Sequence, residues 1–199
     1  MDMGKGSEKS AGTFISRAGK KLDAALGAFN INVNGRICAD FGCNVGGFTN
    51  CLLARGAGRV YAVDTGYGQL AWQLRKDDRV VVMERTNALH CSVPEPVDLV
   101  TIDVAWTPQR LIVPAAMRWL RPDGVIISLL KPHYELAKMQ RNKVREPIEL
   151  PRADRICNQV CGELAGLGVS LKAVMRSGLL GKGGNVEYLL LLASIQENP

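Results

Sequence analysis

The chain has 199 residues, of which 47% are apolar and 22% charged, and a formal charge of +6. Those values describe one ordinary globular domain, since single domains run to about 100–200 residues and bury a full core at that size. They exclude global disorder, because so apolar a chain offsets its ordering entropy, and the longest apolar runs, Val125–Leu130 and Tyr188–Ala193, fall far short of the roughly 20 residues that span a bilayer.

Met1 to Gly12 is polar, rich in Gly, Ser and Lys, and is expected to be a flexible tail ahead of one domain over residues 13–199. It has no apolar stretch behind its charges, so it does not read as a secretion signal, and a cytoplasmic address is expected. From Ser16 the spacing changes. Leu22, Ala25, Leu26 and Phe29 fall on one helical stripe that Ser16 can cap, with Lys21 beside it. Short runs rich in Val and Ile follow at Arg36–Phe41, Arg59–Asp64, Val80–Met83, Val97–Val104 and Gly124–Lys131, separated by amphipathic segments near Gly47–Arg55, Gln69–Lys76 and Pro108–Leu120. Such alternation predicts a parallel sheet with helices on both faces. A last helix is expected over Pro151–Leu167, ending at Gly166 or Gly168, then strands at Val169–Met175 and Val186–Ala193. The glycine-rich loop between those two is too short for a crossover helix, so they must pair antiparallel.

Cysteines 38, 43, 51, 91, 157 and 161 lack a paired C-x-x-C spacing, and with only His90 and His133 beside them no metal site is expected. They read as small apolar fillers. An isoelectric point near 9.1 is compatible with an anionic partner such as RNA but does not require one.

Three segments carry chemistry. Asp40-Phe41-Gly42-Cys43-Asn44-Val45-Gly46-Gly47-Phe48 lies where the first strand turns into a helix, at the carboxyl edge where open α/β sheets bind ligands. Its G-x-x-x-G-G spacing differs from the dinucleotide G-x-G-x-x-G, and no lysine follows the glycines as a triphosphate site would require. Asp64, at the tip of the second strand, is placed to accept the two hydroxyls of a ribose. Loop and acid together favour a nucleoside-bearing cofactor. The third segment is a scattered set, Lys21, Asp103, Lys131 and Glu187, of which Asp103 and Lys131 close the fourth and fifth strands beside the cofactor crevice. A lysine at the end of an apolar strand can accept a proton from a hydroxyl nucleophile.

Ser16-Arg17-Ala18-Gly19-Lys20-Lys21-Leu22, the glycine segment through Thr49, Val60-Tyr61-Ala62-Val63-Asp64 with Gly66-Tyr67-Gly68-Gln69-Leu70-Ala71-Trp72, Glu84-Arg85-Thr86-Asn87-Ala88, Leu130-Lys131-Pro132 and Gly184-Asn185-Val186-Glu187-Tyr188-Leu189 follow one another at fitting intervals. From Phe14 to about Ala193 the chain resembles the TlyA branch of the FtsJ-like RNA 2′-O-methyltransferases. The resemblance implies a Rossmann-like class I methyltransferase fold, a mostly parallel seven-stranded sheet with the last strand antiparallel, and S-adenosylmethionine as cofactor. It implies a catalytic tetrad at Lys21, Asp103, Lys131 and Glu187, in which Lys131 activates the ribose hydroxyl. Gly42, Gly46 and Gly47 would shape the wall against the methionine part, with Asp40, Phe48 and Asp103 in the same cofactor site, Asp64 on the ribose and Asn87 near the adenine.

The expected partner is RNA, ribosomal RNA or a ribosomal subunit, with no membrane role and no metal. Family members usually carry an S4-like RNA-binding domain ahead of this one, where the chain has about a dozen polar residues, so RNA selection is expected to come from elsewhere. After Asp103 the chain reads Val104-Ala105-Trp106 where the family reads Val-Ser-Phe. Lys138, Arg141, Lys143 and Arg145 replace a glycine-rich stretch and are expected to form a phosphate-contacting loop, and Trp106 and Tyr134 are the aromatics best placed to stack a base. Relatives are often called haemolysins, a label that the chain does not support with any span or basic amphipathic helix. Two other readings fit the same residues: a methyltransferase for a small hydroxylated molecule, and an idle cofactor- and RNA-binding module.

Overall fold

The computed structural model describes residues 14–140 and 147–195. Strands β1 (Ile37–Phe41), β2 (Arg59–Val63), β3 (Val80–Met83), β4 (Val97–Ile102), β5 (Leu120–Leu130), β6 (Val169–Arg176) and β7 (Tyr188–Ser194) form one sheet in the order β3-β2-β1-β4-β5-β7-β6. Six strands point one way. β7 alone is antiparallel, inserted between β5 and β6 with Leu130 opposite Tyr188 at one end.

Side chains alternate between the two faces of each strand, as a sheet covered on both sides requires. Cys38, Val60, Ala62, Leu99, Ile127 and Leu129 pack under α1 (Arg17–Ala28), α2 (Gly47–Ala54) and α3 (Trp72–Arg75). Ala39, Phe41, Val100, Ile102 and Ile126 pack under α4 (Gln109–Met117), α5 (Pro132–Gln140) and α6 (Leu150–Ala165). Trp119 fills the centre of this second layer, with Phe41 and Tyr61 set against it edge to face at 5.2 and 6.0 Å. Four of the six cysteines are buried and all are free thiols; burial pushes Cys38 and Cys51 up to about 12, so they are inert fillers.

α1 follows the predicted stripe, with Leu22, Ala25 and Leu26 buried. Ser16 stands at its N-cap position with extended backbone but makes no capping bond. Its Oγ packs instead on Gly47, where a Cβ would lie only 2.2 Å away. The absence of side chains there lets α1 approach the start of α2 closely, and this approach carries Lys21 toward the carboxyl edge of the sheet.

Three elements differ from expectation. The helix expected over Gln69–Lys76 shrinks to the single turn of α3, because the amides of Gly68, Gln69 and Leu70 turn toward the Glu84 carboxylate instead of entering a helix. α5 begins at Pro132, a residue pre-set for a first helical position, where the sequence reading assigned no element; Lys138, expected in a loop, lies in that helix. Arg141, Lys143 and Arg145 lie outside the described residues, as does the N-terminal tail. Finally, β5 starts at Leu120, which pairs with Val97 across a bulge.

Candidate active site

Every site segment sits at the carboxyl edge of the parallel strands, one residue beyond the last paired position: Asp64 after β2, Asp103 after β4 and Lys131 after β5. Glu187 comes one residue before β7, which is antiparallel and therefore delivers it to the same edge.

Two cavities open there and share a wall made by Gly42 and Asp103. The larger, about 410 Å³, is lined by Asp64, Gln69, Asn87 and Trp106 besides that wall. This volume lies in the range of small-molecule sites. The smaller, about 170 Å³, is lined by Ser16, Gly47, Phe48 and Lys131 on its other sides. Gly42 has φ +82 and a Cβ there would sit 2.7 Å from the Asp103 carbonyl oxygen, so only glycine lets β1 and β4 end this close together.

Asp64 holds the turn that faces the larger cavity. Its Oδ2 accepts the Asn44 N–H at 2.9 Å and its Oδ1 the Gly66 N–H at 2.7 Å. Each oxygen keeps a further lone pair for a ligand hydroxyl. The Asn87 side chain accepts the Leu89 N–H at 3.0 Å, which fixes its cavity-facing turn.

The four tetrad positions come together as two ion pairs. Lys131 Nζ lies 2.5 Å from Asp103 Oδ1 and donates to the Val104 carbonyl at 3.3 Å. Lys21 Nζ donates to Glu187 Oε2 at 2.5 Å, with only 10% and 3% of the two side chains exposed. Lys131 and Asp103 line the smaller cavity, whereas Lys21 and Glu187 line neither.

Two expected cofactor residues are placed elsewhere. Gly46 caps α2 with φ +97 and backs onto Leu70 and Leu74 rather than onto a cavity. Asp40 has no exposed surface: its Oδ2 accepts the N–H and hydroxyl of Thr49 at 2.9 and 2.7 Å, and its Oδ1 the hydroxyl of Thr101 at 3.1 Å. It fastens α2 and β4 to β1. Burial pushes its carboxyl from the ordinary 3.8 up to about 7, against the pull of those hydrogen bonds.

Between those two pH values the folded chain holds a proton that the unfolded chain has lost, so Asp40 lowers stability as pH rises from about 4 to about 7. Asp40→Asn is therefore expected to gain in urea midpoint relative to the native chain between pH 5 and pH 8. Parallel pH profiles for the two proteins would contradict this placement.

The sequence reading gave no role to Glu84, whose position at the end of an apolar strand is its only local signal. Its carboxylate accepts the N–H groups of Gly68, Gln69 and Leu70 at 3.0, 3.1 and 3.3 Å and pairs with Arg75. Arg75 first, then the amides, hold its carboxyl down to about 2. This support is complete at neutral pH and is lost as pH falls from about 4.5 toward 2. With Glu84→Ala, hydrogen exchange at Gly68, Gln69 and Leu70 is expected to accelerate by about tenfold or more while β1 and β4 keep their protection; unchanged loop exchange would remove the strut. Glu135 was also missed as a support: buried on α5, it accepts the Gln109 N–H at 2.8 Å and so anchors the start of α4 beside the cavity rim.

A singly reversed strand, a glycine turn after β1 and an acid after β2 define a Rossmann-like methyltransferase domain. The chain belongs to the FtsJ-like methyltransferase family, which it matches over residues 14–194. It is 44% identical over 186 residues to TlyA of Mycobacterium tuberculosis, a 16S/23S rRNA (cytidine-2′-O)-methyltransferase, in a match covering 90% of this chain and 68% of TlyA. YqxC of Bacillus subtilis is 40% identical over 189 residues, covering 90% of this chain and 65% of YqxC. A solved structure from Lactococcus lactis, named as a hemolysin, superposes with a TM-score of 0.84 at 35% identity, covering 92% of this chain and 89% of that one. Among the described residues no helix is long and apolar enough to cross a membrane.

Proposed function

We propose that the protein transfers a methyl group from S-adenosylmethionine to a ribose 2′-hydroxyl of ribosomal RNA, at a cytidine as the name of its Mycobacterium tuberculosis relative states, in the cytoplasm where ribosomes are assembled. The observation that carries this reading is the pairing of Asp103, on the wall between the two cavities, with Lys131 in the smaller one.

The larger cavity fits the cofactor: Gly42 leaves the wall bare where a Cβ would strike Asp103, and Asp64 offers free lone pairs to ribose hydroxyls. Asp64 and Asn87 would hold the nucleoside end, Gly42 and Asp103 the end nearer Lys131. When bound, S-adenosylmethionine supplies an electrophilic methyl group on a sulfonium.

The protein's own part is to align the acceptor and remove one weakly acidic proton. Lys131 first gives one ammonium proton to solvent; its amine then accepts the hydroxyl proton as the oxygen takes the methyl group, and the ammonium so restored is held by Asp103 and the Val104 carbonyl. Lys21 and Glu187, almost fully buried, brace the rim from α1 and from the entry to β7. Incubation with methyl-labelled cofactor and 16S and 23S RNA, naked and in subunits, followed by digestion to nucleosides, is expected to place the label in 2′-O-methylcytidine. Label on a base, or on no RNA despite cofactor binding, would overturn the proposal.

A further inference from the structure

Single exposed apolar side chains are ordinary on a protein surface. The stretch from Tyr67 to Trp72 is not ordinary in that sense, since both of its aromatic rings are more than two-thirds exposed, 68% and 69%. Each ring has a cation over it: Arg85 lies 4.1 Å from the centre of Tyr67, and Lys76 lies 4.8 Å from that of Trp72. Leaving two large rings in water forfeits the stabilisation that burial would bring.

The stretch is also held rigid. Glu84 binds three consecutive amides between the two rings, Arg85 N–H donates to the Gly66 carbonyl at 2.9 Å, and Ala71 N–H donates to the Val45 carbonyl at 3.2 Å. Rings on a fixed frame lose little freedom when something stacks on them. Tyr67 stands between Thr65 and Gln69, which both line the larger cavity, and Trp72 follows three residues after Gln69 at the start of α3, so the stretch that carries both rings runs out from the site.

We propose that Tyr67 and Trp72 form a stacking platform for unpaired bases of single-stranded RNA, with Arg85 and Lys76 facing the adjoining phosphates. The platform takes RNA that continues past the nucleotide to be methylated, and it rests on the RNA reading above. Aromatic faces interleaved with cations are what sequence-tolerant single-strand binding uses, because every base has a π-face and every link a negative charge. A purely apolar partner would gain nothing from the two cations, and a duplex would offer no open base face.

The test is fluorescence anisotropy with a labelled oligocytidylate of about a dozen nucleotides, against an RNA duplex of the same length. The double variant Tyr67→Ser, Trp72→Ser is expected to bind the single strand about tenfold or more weakly. Duplex affinity, the slope of affinity against salt and the affinity for S-adenosylhomocysteine are expected to stay unchanged, since no charge has been removed. Tyr67→Phe and Trp72→Phe, which keep an aromatic face, are expected to bind within about twofold of the native protein. Native affinity in the Ser double variant, with methylation of RNA intact in the native protein, overturns the platform and leaves the activity standing. Equal loss in the Phe variants, or parallel loss of S-adenosylhomocysteine affinity, also overturns it. A native protein that neither binds nor methylates RNA overturns both proposals.

Discussion

Lys131→Met is expected to lower the rate of methyl transfer by about a hundredfold to ten-thousandfold, the range that general-base removal covers, while S-adenosylhomocysteine affinity stays within about threefold. Methionine keeps a long unbranched side chain at the end of β5 but takes no proton. Asp103 is left without its cation, yet a fifth of its side chain is exposed, so water takes over part of that solvation. Lys131→Arg separates two ways in which the residue can act. A guanidinium keeps the charge next to Asp103 and stays protonated at any working pH, so it restores the electrostatics but not the base. Arginine is expected to be nearly as inactive as methionine. Recovery of a tenth or more of the native rate in Lys131→Arg, measured in single-turnover reactions, would show that Lys131 acts through its charge and not as a proton acceptor.

A loss of comparable size is expected in binding when Asp64 is replaced. Its carboxylate fixes Asn44 and Gly66 by their N–H groups and faces the larger cavity, so Asp64→Ala removes a charged acceptor from two amides and from the ligand together. A hydrogen bond to a charged group contributes about 1.5–3 kcal/mol, and each 1.4 kcal/mol is about tenfold. S-adenosylhomocysteine is therefore expected to bind about a hundredfold more weakly by calorimetry. Asp64→Asn, which retains one oxygen, is expected to lose only about tenfold. A change of less than about threefold in Asp64→Ala would take the ribose away from this residue.

Much of the sheet was legible in the sequence because its strands are runs of Val, Ile and Leu bounded by turns, a pattern that depends only on neighbours along the chain. β3 matches at both ends, and the antiparallel pairing of β6 and β7 follows from the shortness of the loop between them. The strand ends that hold Asp64, Asp103 and Lys131 were legible for the same reason. What sequence did not carry is which group faces which. Asp40 and Asp64 both stand in motifs at the ends of strands, yet Asp40 is sealed beneath α2 and Asp64 faces a cavity, because Asp40 lies inside β1, opposite Ala62, while Asp64 comes one residue past the end of β2, and where a strand ends and which helix covers it depend on distant parts of the chain. The strut at Glu84 was hidden likewise: its partners are 14 to 16 residues away in a turn whose shape the carboxylate itself imposes. The division of the tetrad into Lys131 with Asp103 and Lys21 with Glu187 is a tertiary fact, set by the insertion of β7 beside β5.

That insertion gives the protein a built-in order of completion. During synthesis Lys21 emerges early, but the carboxylate that neutralises it lies 166 residues later, at the entry to β7, which follows the other six strands of the sheet in the chain and must slot between two of them. Until then β5 and β6 have no common neighbour, and Lys21 has no counter-ion to hold it at the rim. A nascent chain stopped short of β7 can thus form the cavity wall of Gly42, Asp64 and Asp103 without the Lys21–Glu187 brace, so the rim is completed only when β7 pairs with β5 and β6.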